Sequence, residues 1–214
     1  MAVGCMKDFG PSVDYENEIP LSGEVTALFT IKQNAEGALF FQAGEHKLLP
    51  ADLEWDFVRQ QRVMANVYVN AEMRDEYRMC SVYWVEPLDE GVFEKGAFNY
   101  QAVVVPPDGL DILLNSWITG VDDGYLTLHY KTWWGSVPLH HDFSLVCLDA
   151  GNPYSLTLVQ DSHGDGHDEL AEGVICFDIN DLSDTGGETV TITLNWIKLD
   201  GTAGTADFEF RSRE

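Results

Sequence analysis

The chain has 214 residues, 45% hydrophobic and 12% aromatic, enough for the packed cores of one large or two small domains and too apolar for a disordered chain. Its net charge is −24, from 36 acidic and 12 basic residues, and the excess is spread over both halves: −10 in residues 1–110 and −14 in residues 111–214. Nucleic acid and anionic lipid both require clustered Lys and Arg, so neither fits as a partner, and no run approaches the roughly 20 apolar residues of a membrane-spanning helix.

Residues 1–22 carry no regular period. They begin Met1-Ala2-Val3-Gly4-Cys5, a small apolar run ending in Gly directly before Cys, as at the end of a bacterial lipoprotein signal. The n- and h-regions of such a signal do not precede it, so two readings stand: a start that has lost its leader, or a chance Gly-Cys in an intracellular protein. The polar segment Asp14–Pro20 that follows suits a tether and favours the first reading, with Cys5 as lipid attachment point and the outer membrane as address. Any contact with a membrane would then be made only through that lipid.

Residues 23–107 read as a compact β unit. Gly23–Ile31, Gly37–Gln42, Arg62–Asn70, Tyr77–Glu86 and Gln101–Val105 alternate or cluster β-branched and aromatic residues, while Pro50–Arg59 settles on no period. Five strands around one irregular segment predict a small closed barrel of OB type. A nucleic-acid role for that barrel conflicts with the −10 balance of residues 1–110, which leaves Arg59, Arg62, Arg74 and Arg78 scattered among acids. Val105-Pro106-Pro107-Asp108-Gly109 cannot continue a ladder and turns sharply, which places the domain break there.

Residues 108–214 read as a second β unit. Leu113–Cys147 predicts a three-stranded meander punctuated by Asp122-Asp123-Gly124 and Gly135-Ser136-Val137-Pro138. Tyr154–Gln160, Gly173–Ile179, Val190–Leu199 and Asp207–Ser212 bring the strands to seven. In Thr189–Lys198 the residues Val190, Ile192, Leu194 and Trp196 share one face and threonines the other. Seven strands in about a hundred residues predict a β-sandwich of immunoglobulin-like type, and the fold class is all-β throughout.

Several residues invite chemistry. In Asp161–Glu172, Asp161, Asp165, Gly166 and Glu172 fall at positions one, five, six and twelve of a calcium loop, while His163 replaces an oxygen ligand at position three. Asp161, His163, Asp165 and Glu172 are thus candidate metal ligands, with calcium the ion the spacing suggests. His163 and His167 with Asp165 could instead take a transition metal, and a solvated acidic loop stiffened by Gly accounts for the same residues. His141 shares the face of Phe143 and Leu145, which predicts a partly buried, hydrogen-bonded imidazole. The absence of G-x-S-x-G, together with a Ser136 caught in a turn, argues against a hydrolase. Trp133 and Trp134 end a strand and point to opposite faces, so one is expected in the core and the other exposed as a contact for a protein, a sugar ring or a membrane interface. The cysteines Cys5, Cys80, Cys147 and Cys176 show no zinc spacing; a Cys147–Cys176 bridge is left to geometry.

The sequence of arrangement and motif resembles the NigD-like family. The resemblance rests on a small barrel, a Pro/Gly linker, and a second unit carrying Ser116-Trp117-Ile118-Thr119-Gly120, Gly124-Tyr125-Leu126-Thr127-Leu128 and His141-Asp142-Phe143-Ser144-Leu145-Val146. It implies an OB-like N-terminal domain before a β-sandwich, in a secreted or surface lipoprotein of gut-type Gram-negative bacteria associated with bacteriocin immunity. On that basis the expected function is noncatalytic binding of a protein or peptide partner. A glycan-binding accessory module is the alternative that the exposed tryptophan suggests.

Overall fold

A computed structural model describes residues 19–94, 108–147 and 151–212. The expected tether with Cys5, the strand Gln101–Val105 and the break at Pro106-Pro107 all lie outside the described residues or at their edge. The chain forms two units, Met1–Leu88 and Asp89–Glu214.

The first unit is a closed barrel of five strands: β1 (Gly23–Gln33), β2 (Leu39–Ala43), β3 (His46–Pro50), β4 (Gln61–Arg74) and β5 (Tyr77–Pro87), in the order β1-β2-β3-β5-β4. All its pairs are antiparallel except β3 with β5, and β4 returns to β1 to remove both edges. Period-two alternation sends Val25, Ala27, Phe29 and Ile31 inward from β1 and Val63, Ala65, Val67 and Val69 inward from β4. Small Ala27 pairs in register with small Ala65, while Phe29 and Phe41 pack with ring centres 5.1 Å apart. Register shifts at Asn66/Val67 and Val69/Met73 bend the long β4 around the barrel. Four of the expected strands are present. The fifth barrel strand is β3, which its Lys47 and terminal Pro50 hid from pattern reading. Residues 51–60, the segment without a period, have no regular structure.

The second unit is a sandwich of two five-stranded sheets. One sheet holds β6 (Asp89–Glu90), β8 (Asp111–Ile112), β9 (Gly120–Asp122), β10 (Tyr125–Trp134) and β13 (Glu169–Asp178). The other runs β15 (Ala203–Phe210), β14 (Val190–Ile197), β12 (Ser155–Asp161), β11 (Asp142–Cys147), β7 (Val92–Glu94). Leu126, Leu128, Tyr130, Ile175 and Phe177 of the first meet Phe143, Leu145, Leu156, Leu158, Ile192, Leu194 and Trp196 of the second. The expected order of small barrel then sandwich is borne out.

Two features depart from the sequence reading. First, the meander does not form. Asp123-Gly124 does close a tight β9–β10 hairpin with both residues at positive φ, but the segment before it is mostly turn. The chain after β10 then crosses to the opposite sheet, where β11 pairs with β12. Second, residues 89–94 begin the sandwich. Asp89–Glu90 pairs parallel with β13 in one sheet and Val92–Glu94 parallel with β11 in the other. Gly91 makes the step between sheets, its amide on Cys176 O at 2.9 Å, because a Cβ there would stand 2.3 Å from Phe177 Cε1. Cys147 and Cys176 occupy opposite sheets as thiols, so no bridge joins them.

Candidate functional site

Two loops meet over one end of the sandwich. Residues 135–141 carry the chain from β10 to β11, and residues 162–168 carry it back from β12 to β13; each crosses between the sheets. Register places the four strand ends together, Trp134 opposite Glu169 and Asp142 opposite Asp161.

A buried polar chain lies under the loops. On β10 and β12 the inward positions run Leu126, Leu128, Tyr130, Thr132 and Leu156, Leu158, Gln160, so the last inward residue of each series is polar. Burying such groups is costly unless they pair. The Gln160 amide nitrogen donates to Thr132 Oγ1 at 3.1 Å and to His141 Nδ1 at 2.8 Å, and Thr132 Oγ1 donates to Gly109 O at 3.2 Å. With Nδ1 accepting, the His141 proton sits on Nε2 and points to Asp165 Oδ2 at 3.2 Å. Burial holds His141 below the usual imidazole range, against the pull of Asp165, so it is the neutral tautomer that the site contains.

Asp165 fastens the two loops. Its carboxylate accepts from the backbone amides of Gly135, Gly166 and Leu139 as well as from His141. Those amides, Gly135 first, hold it below the usual carboxylate range. The approach demands glycine, since a Cβ at Gly135 would lie 2.3 Å from Asp165 Oδ1. Asp168 adds a second tie: its Oδ2 accepts from Ser136 N at 2.8 Å and its own amide donates to Trp134 O at 2.9 Å.

The surface above carries aromatic rings, histidines and acids. Trp134 stacks on His141 with centroids 3.9 Å apart and planes 7° apart, and Trp133 stacks on His167 at 5.9 Å and 21°. Both tryptophans are half-buried, so the expectation of one core and one exposed ring gives way to two rings each covered by an imidazole. At the exposed margin His163 Nε2 donates to Asp142 Oδ2 at 2.7 Å, His140 Nε2 lies 3.2 Å from Asp142 Oδ1, and His163 Nδ1 lies 3.7 Å from Asp161 Oδ2. His163 adopts φ 55°, its amide bonded to Asp161 Oδ1 at 2.8 Å.

A separate trio occurs on the outer face of β10. Ser116 Oγ is 2.8 Å from His129 Nδ1, and His129 Nε2 is 3.2 Å from Glu172 Oε2, at ion-pair distance but without hydrogen-bond alignment. Ser116 Oγ also accepts from Ile118 N at 3.3 Å, which closes the turn of residues 116–119. The serine is therefore engaged in shaping that turn.

Residues 97–210, more than half of the chain, match the model of the NigD-like C-terminal β-sandwich domain. The chain belongs to the NigD-like family. Solved structures agree in fold. A protein described as toxin-related from Parabacteroides distasonis superposes with a TM-score of 0.74 at 22% identity, over 88% of this chain and 94% of that one. A NigD-like immunity protein from Bacteroides caccae gives 0.62 at 17%, over 88% and 98%, and a Bacteroides fragilis protein described as a lipoprotein gives 0.60 at 12%, over 89% and 100%. None of the curated proteins matches the sequence.

Within this NigD-like sandwich the four candidate ion ligands have different surroundings. Asp161 and His163 share the exposed margin with Asp142, and Asp165 turns inward onto His141 and backbone amides. Glu172 sits within β13, opposite Lys131 in register and beside His129. The loop ends at Asp168, so the twelfth position of the calcium pattern falls on a strand. Among the described residues no three or more His, Cys, Asp or Glu side chains gather in a metal-holding arrangement. His141 is buried and hydrogen-bonded, as its period implied. Thr132 and Gln160 were missed, although a polar residue closing an inward-facing apolar series was the available signal.

Proposed function

We propose that this NigD-like chain is a noncatalytic protein of the cell envelope, lipid-anchored through Cys5, that binds a protein or peptide partner at the Trp133–Trp134 end of its sandwich. The observation that carries this reading is the use made of the polar groups there. Thr132, Gln160, His141 and Asp165 satisfy one another and hold two loops in place, so they present a surface instead of a reacting group. Two half-buried indole rings, with exposed Val137 and Leu139 on the same loop, give that surface the aromatic and apolar character of an interaction site. The immunity, toxin-related and lipoprotein descriptions of the structural relatives favour a protein partner and an envelope address.

The test compares wild type with a Trp133→Ala/Trp134→Ala variant, both immobilised and exposed to envelope extract and to a glycan array. The expected result is a protein retained by wild type and released by the variant. Glycan signal lost in the variant, with no protein retained, would replace the reading with a glycan-binding one. Labelling of Ser116 by diisopropyl fluorophosphate, accompanied by ester hydrolysis, would replace it with an enzymatic one.

A further inference from the structure

The loops at this end have an unusual charge make-up. Residues 135–142 and 161–169 contain five acids (Asp142, Asp161, Asp165, Asp168 and Glu169) and four histidines, with neither Lys nor Arg. Asp165 is spent inside on backbone amides and His141, but Asp142 and Asp161 keep side chains 58% and 53% exposed. Those two face each other across the β11–β12 ladder, an arrangement that places like charges directly opposite and favours a cation between them. Among the described residues only His163 reaches both carboxylates. The same end of the sandwich carries the two half-buried tryptophans at the close of β10, whose ring faces attract cations, and Val137, 80% exposed on the same loop as Leu139.

We propose that this surface receives a basic peptide segment, its Lys or Arg side chains laid on Trp133 and Trp134 and against Asp142 and Asp161, with apolar neighbours on Val137 and Leu139. The proposal rests on the partner-binding reading above and names the chemistry of the partner. Charge complementarity selects the occupant. A second copy of this chain would bring a second set of acids to the same place, and an anionic surface would be repelled by a chain carrying −24. A guanidinium suits the site best, because one planar group can stack on an indole and fork onto a carboxylate.

The experiment uses the full chain, with indole signals of Trp133 and Trp134 assigned by nuclear magnetic resonance. Two twelve-residue peptides share the same Leu, Val and Tyr positions, one with Arg and Lys between them and the other with Glu and Asp. The basic peptide is expected to shift both indole signals saturably, with affinity falling as salt rises from 50 to 300 mM on a Debye length of roughly 10 Å. An Asp142→Asn/Asp161→Asn variant, checked for an unchanged fold by circular dichroism, should bind it about three- to tenfold more weakly. Equal shifts from both peptides, or an unchanged affinity in the Asn variant, overturn the proposal while leaving the partner-binding reading in place. So does silence of both peptides when the tryptophan variant still loses a captured protein. Silence of both peptides with capture unaffected by the tryptophan variant defeats the proposal and that reading together.

Discussion

Gln160→Leu tests whether the polar chain under the loops is structural in the way its geometry implies. Gln160 and Thr132 are each 2% exposed and the His141 side chain is fully enclosed. Leucine nearly matches the volume of glutamine, so the change removes the amide with little cavity. Thr132 Oγ1 retains Gly109 O, but His141 Nδ1 loses its donor at 2.8 Å. Switching the tautomer cannot rescue it, because Asp165 needs the proton on Nε2. One orphaned, buried acceptor costs about 1–3 kcal/mol. Unfolding entropy near 2.1 cal/mol/K per residue, over the unit Asp89–Glu214, converts each kcal/mol to about 4 °C, so a fall of about 4–11 °C is expected in that unit's transition. Calorimetry reads it directly. His141→Phe removes the orphan and keeps a ring for Trp134 to stack on, so the double variant should lose at least about 1 kcal/mol less than the sum of the singles. A neutral Gln160→Leu, or strict additivity, would refute the reasoning.

Gly91→Ala should destabilise the sandwich by about 1–3 kcal/mol or more, since the new Cβ meets Phe177 Cε1 at 2.3 Å and Phe143 O at 2.8 Å; chemical denaturation within about 0.5 kcal/mol of wild type would show that the strand does not step between the sheets there. Burial holds His129 and His141 below the ordinary imidazole value of 6.5, so the unfolded chain takes up protons first as pH falls. Their contribution is complete above about pH 6.5 and is lost as pH drops through that value toward the folded ones, with a slope of at most about 1.4 kcal/mol per pH unit for each histidine. Urea midpoints that rise from pH 7.5 to 5.5 would contradict this. Burial pushes the Cys80 thiol up to about 12, so thiol reagents should modify half-buried Cys147 well before Cys80 in the native protein, with mass spectrometry identifying the site.

The fold was legible where burial imposes a period. In β1 and β14 one face is apolar and the spacing of two identifies both strand and face, and the tight Asp123-Gly124 turn is written in residues that tolerate positive φ. It was less legible where tertiary position outweighs composition. β3 is five residues long with a Lys and a Pro, and it forms because the barrel must close between β2 and β5. The pairing of β11 was misjudged because Gly135–Pro138 looks like a hairpin turn, whereas the inward carboxylate of Asp165 gathers the amides of Gly135 and Leu139 and leads the chain across the sandwich. The calcium pattern failed to foresee that Glu169 already begins a strand. Spacing along the chain specifies an ion loop only if the backbone stays a loop.

The same crossing explains why we place the proposed interaction surface at this end. A chain that leaves one sheet for the other exposes backbone amides over the core, and these need acceptors as much as any buried donor does. Asp165 supplies one carboxylate for three of them, and the cost of holding that charge inside is offset by His141, which Gln160 fixes in the tautomer that can donate. His141 also forms the floor under Trp134. Under the proposed function, stability and recognition meet in a single imidazole, whose two nitrogens satisfy the interior while its face positions an indole. Because the ring is held before any partner arrives, little side-chain ordering remains to oppose binding. Loosening Asp165 should therefore weaken partner binding through the disorder of Trp134 even though Asp165 itself, nearly enclosed, is placed to touch no partner.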